Sequence, residues 1–107
     1  MKEIPEYKEA IKIKPDNITA HGRLALALAG QNKIDEAIKE IRIVLTINPR
    51  DAEMHRNLGI LLERRGKAAE AIKEYQQALK IDPNDTKTRR LLEMALSGQK
   101  TRPPNDR

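Results

Sequence analysis

The stretch Ala52–Asp85, AEMHRNLGILLERRGKAAEAIKEYQQALKIDPND, decides the reading of this chain. Its first half places Met54, Leu58, Leu61 and Leu62 on one helical face, over about Ala52 to Arg65. Its second half does the same with Ala71, Ile72, Tyr75, Ala78, Leu79 and Ile81, over about Ala68 to Ile81. Both follow the i, i+3, i+4, i+7 spacing of a half-buried helix. Gly66 stands between them, where a helix end wants a residue able to take positive φ. Asp82-Pro83 closes the second helix, because proline lacks the N–H and crowds the preceding turn. Asp51 and Asp85 are placed to cap the helices that follow.

The unit recurs upstream. Leu24, Leu28, Ala37, Ile38, Leu45, Ile47 and Pro49 lie 34 residues before Leu58, Leu62, Ala71, Ile72, Leu79, Ile81 and Pro83. Aligning residues 18–51 with 52–85 gives 13 identities, so this is a true internal repeat. Its helices are predicted near Ile18–Gly30, capped by Asn17, and Ile34–Ile47. Asn32 takes the place of Gly66. Tyr7, Ala10, Lys12, Ile13 and Pro15 sit two repeats before Tyr75, Ala78, Lys80, Ile81 and Pro83. A short helix, Pro5 to Ile13, is therefore expected as the second half of a unit cut from a longer solenoid. At the other end Leu92 and Leu96 continue Leu58 and Leu62. A last helix is expected over Thr86 to Leu96, ended by Ser97-Gly98, with 99–107 a disordered basic tail.

A 34-residue helix–turn–helix with Leu58-Gly59, Leu62, Gly66, Ala71, Tyr75, Ala78, Leu79 and Pro83 at these places resembles the tetratricopeptide repeat (TPR) family. The resemblance implies an all-α solenoid of about six antiparallel helices wound as a right-handed superhelix. It would fill 1–98, as a partial unit (1–17), full units (18–51 and 52–85) and a closing helix (86–98). The expected core is Leu24, Leu28, Ala37, Ile38, Leu45, Leu58, Leu62, Ala71, Tyr75, Ala78 and Leu79. Gly22 falls inside a helix and reads as a tolerated small residue costing up to ~1 kcal/mol against Ala.

Composition narrows the function. Charged residues make up 35% and aromatics 2% of the chain, which points to a solvated helical surface over an aliphatic core. Without cysteine there is no disulfide framework, thiolate metal site or cysteine nucleophile. There is no apolar run near membrane-spanning length, and MKEIPEYKEA is not a signal peptide. A soluble chain is expected, with a cytoplasmic setting preferred. The net charge of +5 is uneven: residues 86–107 carry six Lys/Arg and two acids, and the rest is nearly neutral.

No catalytic constellation stands up. His21 and His55 occupy one position of successive units, where the family usually has Trp, and further metal ligands are missing; packing or a partly exposed spacer is the expectation. Gly66-Lys67 lacks the first glycine and the Ser/Thr of a P-loop. Ser97 and Lys100 match S-x-x-K without a scaffold. The sequons at Asn17 and Asn84 reflect turn chemistry. Neither enzyme activity nor a cofactor is expected.

Binding is the expected function, and the resemblance implies where. In this family the first helices of successive repeats line a concave groove that takes peptides. The groove-facing residues would be Thr19, Gly22, Arg23 and Leu26, then Glu53, Arg56, Asn57, Ile60, Glu63 and Arg64, then Lys87, Arg90, Leu91 and Met94. Arg23, Arg56, Asn57, Ile60, Arg64, Lys87 and Arg90 are the candidate contacts, suited to a protein or peptide bearing carboxylates. The competing reading is a solvated face with no ligand. Relatives that hold the C-terminal carboxylate of heat-shock chaperones use a clamp of Lys, Asn, Asn, Lys and Arg. Here Asn57 and Lys87 match it, while Gly22, Leu26 and Leu91 break it. Two alternatives are self-association through open repeat ends, and weak, salt-sensitive nucleic-acid binding at the basic end. The second is disfavoured because Tyr7 and Tyr75, the only aromatics, fall on core positions.

Overall fold

The computed structural model describes residues 3–101, with side chains to residue 98. Six helices follow one another: α1 (Glu3–Ile13), α2 (Ile18–Gly30), α3 (Ile34–Ile47), α4 (Ala52–Arg64), α5 (Ala68–Ile81) and α6 (Thr86–Thr101). Each packs on the next, so the described residues form an elongated all-α solenoid, 47 × 30 × 19 Å.

The turn chemistry is the one the sequence asks for. Asn17 Oδ1 accepts from Ala20 N–H at 3.0 Å, Asp51 Oδ1 from Met54 N–H at 3.1 Å and Asp85 Oδ1 from Thr88 N–H at 3.2 Å. Each satisfies one of the donors a helix start leaves over. Asn32 and Gly66 turn α2 into α3 and α4 into α5 with φ of 62° and 80°. The following Lys33 and Lys67 N–H groups bond back to Leu28 O and Leu62 O, closing the helix ends.

Three helix ends depart from expectation. α1 begins at Glu3, not Pro5. Proline there still falls in the first turn, where its missing N–H would have had no partner. α4 stops at Arg64, and Arg65 is its cap, donating to Leu61 O and Leu62 O. α6 runs through Ser97-Gly98 to Thr101 instead of ending at Leu96. Gly98 does not take the positive φ that would break the helix, and the next proline is Pro103. The expected disorder of 99–107 therefore does not hold at 99–101; 102–107 lie outside the described residues.

The core runs the length of the array. Leu24, Leu28, Ala37, Leu58, Leu62, Ala71, Tyr75 and Ala78 are buried as expected. Ile38, Leu45 and Leu79 are only half-buried. Ile41 and Val44 take the fully buried places in α3, one register with Tyr75 and Ala78 in α5. The buried stripe of α3 is thus Ala37, Ile41 and Val44, and Ile38 and Leu45 sit on its shoulder. Tyr75 fills the centre of the second unit, with no exposed surface, and donates to Glu63 Oε1 at 2.6 Å. Burial, then the bond and charge of Glu63, push its phenol well above the usual range. The ring lies against Gly59, where a Cβ would come within 2.5 Å of Tyr75 Cε1. Tyr7, one repeat before Ile41, is half-buried rather than enclosed.

Candidate functional site: a trough along the first helices

The repeat sets rows of side chains at intervals of 34 residues along α2, α4 and α6. One row is Leu26, Ile60 and Met94, an apolar ladder in which Leu26 is 48% and Met94 64% exposed. A second row is Arg23, Asn57 and Leu91. Exposed leucine and methionine on a chain so rich in charge are not core residues out of place, since the core is filled from the opposite face of the same helices.

Two cavities open on this surface. The first, about 410 Å³, is lined by Glu3 and Tyr7 of α1 and by Arg23, Leu26, Ala27 and Gly30 of α2, with Gln31. The second, about 180 Å³, lies between α2 and α4, lined by Ala25, Leu26, Ala29, Asn57, Ile60, Leu61 and Arg64, with Ile41 of α3 behind. Leu26 belongs to both, so they join into one trough with an apolar floor. Arg23 and Arg64 stand on its rims, exposed, and among the described residues neither forms an ion pair. Asn57, half-buried, brings an amide to the floor.

Thus Arg23, Asn57, Ile60 and Arg64 lie together. The other three candidates do not line these cavities. Arg56 is engaged within the fold: its Nη1 is 3.2 Å from Asp85 Oδ2 and its Nη2 3.8 Å from Glu53 Oε2. Asp85 also accepts from the buried Thr88, at 2.6 Å from the hydroxyl. The Thr88 hydroxyl, then its backbone N–H and the Arg56 charge, hold the Asp85 carboxyl below its ordinary range against the effect of burial. Arg56 thereby ties α4 to the start of α6. Lys87 and Arg90 are exposed on α6 beyond the trough. Sequence reasoning missed Tyr7, Ala29 and Gln31 as lining residues. Tyr7 matches the enclosed Tyr75 in the repeat, but it is half-buried and its ring opens on the first cavity.

Both histidines are tied up. His21 bridges Glu40 and the Pro15 carbonyl, and His55 bridges Glu74 and the Pro49 carbonyl. Among the described residues no three His, Asp or Glu gather as a metal site would need. No described helix is long and apolar enough to cross a membrane.

The architecture is a solenoid of helix pairs with a trough lined by the first helix of each pair. The sequence model of the tetratricopeptide repeat matches residues 23–86, and the chain belongs to that family. No curated protein matches it by sequence. Among solved structures it is similar to MamA, at TM-score 0.88 and 20% identity over 91% of this chain and 57% of that one. It is similar also to the first TPR of Spaghetti (RPAP3), bound to the HSP90 peptide SRMEEVD, at TM-score 0.87 and 19% identity over 92% and 78% of the two chains. A third is an O-GlcNAc transferase mutant of Thermobaculum terrenum, at TM-score 0.80 and 26% identity, of which this chain spans 18%. The chain thus spans a little over half of the MamA chain. At these identities the likeness to MamA and RPAP3 is one of fold. Folds of this family commonly mediate protein–protein interaction.

Proposed function

We propose that this chain is a non-enzymatic interaction module that binds an extended peptide segment of another protein in the trough between Arg23 and Arg64. The observation that carries the reading is the continuity of the two cavities through Leu26, with apolar floor and cationic rims. An apolar side chain of the peptide would enter beside Leu26 and Ile60, and carboxylates would meet Arg23 and Arg64. Asn57 would hydrogen-bond the peptide backbone. Lys87 and Arg90 would extend the cationic edge to a longer ligand. Arg56, held by Asp85, would brace the wall. With leucine or glycine at three places of the two-carboxylate clamp, the ligand differs from a chaperone C-terminus: its affinity rests on an internal apolar residue flanked by acids.

The test is selection of a random dodecapeptide display library on the immobilised chain, beside an Arg23→Glu, Leu26→Asp, Arg64→Glu variant of equal helicity. Enrichment of acidic peptides with an apolar residue on the parent alone supports the reading. No enrichment, or equal retention by the variant, overturns it. Nucleic acid recovered from lysate and released by salt would transfer the function to the basic end.

A further inference from the structure

His21 and His55, the only histidines of the chain, are one residue of successive units and are gripped alike. His21 Nε2 lies 2.7 Å from Pro15 O and its Nδ1 2.6 Å from Glu40 Oε1. His55 Nε2 lies 2.8 Å from Pro49 O and its Nδ1 2.8 Å from Glu74 Oε1. A peptide carbonyl can only accept, so Nε2 must carry a proton. An ionised carboxylate also only accepts, so Nδ1 needs one too, and neutral imidazole has a single N–H. The geometry is satisfied when each His–Glu pair holds one proton more than neutral imidazole and carboxylate do. Without it, two lone pairs face each other at hydrogen-bond distance.

The third unit supplies an internal control. Arg89 stands 34 residues after His55, and its Nη2 donates to Pro83 O at 2.6 Å. The same carbonyl is thus held there by a donor that keeps its charge at any physiological pH.

The groups around each ring differ. His21 is buried, facing Glu40 of α3 and the turn at Pro15, with the neutral cap Asn17 one turn before it. On α1, Lys8 is in the register of Arg42. His55 is half-buried and faces Glu74 of α5; Arg42 of α3 lines the same cavity. Its cap Asp51 directs a carboxylate oxygen to Met54 N–H. At His21 burial alone would lower the pKa, but the bond to Glu40, the bond to Pro15 O and the Glu40 charge outweigh it and raise it.

We propose that His21 is a proton-dependent latch: charged, it ties the turn at Pro15 to both helices of the first full unit, α2 and α3, and loss of the proton releases the turn. For a group whose folded pKa is raised, the stabilisation is complete below the unfolded value near 6.5 and is lost as pH rises through the folded one. The Pro15 turn therefore loosens from mildly acidic to mildly alkaline pH, while Arg89 keeps the last turn fastened. One wall of the trough, α2, is the helix that the latch holds.

The chain has no cysteine, so histidine is its one side-chain type whose ordinary pKa lies between about pH 5.5 and 8.5. Thermal melting of the full chain at constant ionic strength should show Tm falling by about 5 °C across that range. The His21→Gln variant should melt lower at pH 5.5 and lose that fall. A flat parent profile, or a slope that survives in the variant, overturns the proposal. Should the variant fail to fold, ¹⁵N shifts of the ring nitrogens in the parent decide. Imidazolium at His21 at pH 6.5, giving way as pH rises, supports the latch, and a neutral tautomer there at that pH overturns it.

Discussion

Gly59→Ala should destabilise this chain although it removes a glycine from a helix. In an open helix interior the change gains up to ~1 kcal/mol, because alanine loses less backbone entropy on folding. At Gly59 the added Cβ would stand 2.5, 2.7 and 3.0 Å from Cε1, Cδ1 and Cζ of Tyr75. Ordinary carbon contacts begin near 3.5 Å, so the ring must retreat by about 1 Å. It has nowhere to go: Tyr75 is fully enclosed, and its hydroxyl is fixed to Glu63 at 2.6 Å. Overpacking costs about 1–3 kcal/mol, and a clash this close against an enclosed ring falls in the upper part of that range, about 2–3 kcal/mol, so the net loss should be about 1–2 kcal/mol after the helical gain. That corresponds to a fall in Tm on the order of 5–15 °C for a domain of this size. Circular dichroism melts and urea titrations measure it. The first unit provides the compensation, with Ala25 and Ile41 at the same two places. In a Tyr75→Ile background, Gly59→Ala should therefore be neutral or stabilising, a coupling that a double-mutant cycle isolates. A single variant melting at or above the parent would refute the packing argument.

Gly22→Ala is the opposite case: a Cβ there meets nothing within 4 Å, and the variant should gain up to ~1 kcal/mol in the same melts. Leu58→Ala removes a side chain only 1% exposed and should cost about 2–5 kcal/mol, enough to unfold much of so small an array at 25 °C, read as lost helicity. Asp85→Ala removes the acceptor of Thr88 N–H, the Thr88 hydroxyl and Arg56 at once, and should cost about 1–3 kcal/mol, with amide exchange rising first in α6.

The 34-residue period made most of this fold legible. It fixes which residues are equivalent, so the turns at Asn32 and Gly66 and the caps at Asn17, Asp51 and Asp85 follow from residue chemistry alone. Helix ends without a turn or cap were not legible: nothing local distinguishes a Gly98 that continues a helix from one that stops it. Burial was legible by face but not by shoulder. Ile38 and Ile41 are both isoleucines of α3, and which is enclosed depends on the angle at which α3 meets α2 and α4. At the site, the family resemblance placed Arg23, Asn57, Ile60 and Arg64, with Arg56, Lys87 and Arg90, on one groove; the first four line the two cavities. It could not reveal that Arg56 is claimed by Asp85, a contact between residues 29 apart in sequence. Nor could it reveal the histidine bridges, whose partners Glu40 and Glu74 sit 19 residues on, across a helix pair. The signal was present, since Glu40 and Glu74 repeat at the same interval as His21 and His55, but pairing them requires knowing how the two helices face.

The central claim is that the trough receives a peptide. It is tested most directly by ¹H–¹⁵N chemical-shift mapping of the full chain titrated with a peptide that the chain itself has selected. The account predicts saturable shifts centred on Arg23, Leu26, Asn57, Ile60 and Arg64, spreading toward Lys87 and Arg90 for a longer ligand. Shifts gathered on the outer faces of α3 and α5, with the trough residues unmoved, would contradict it.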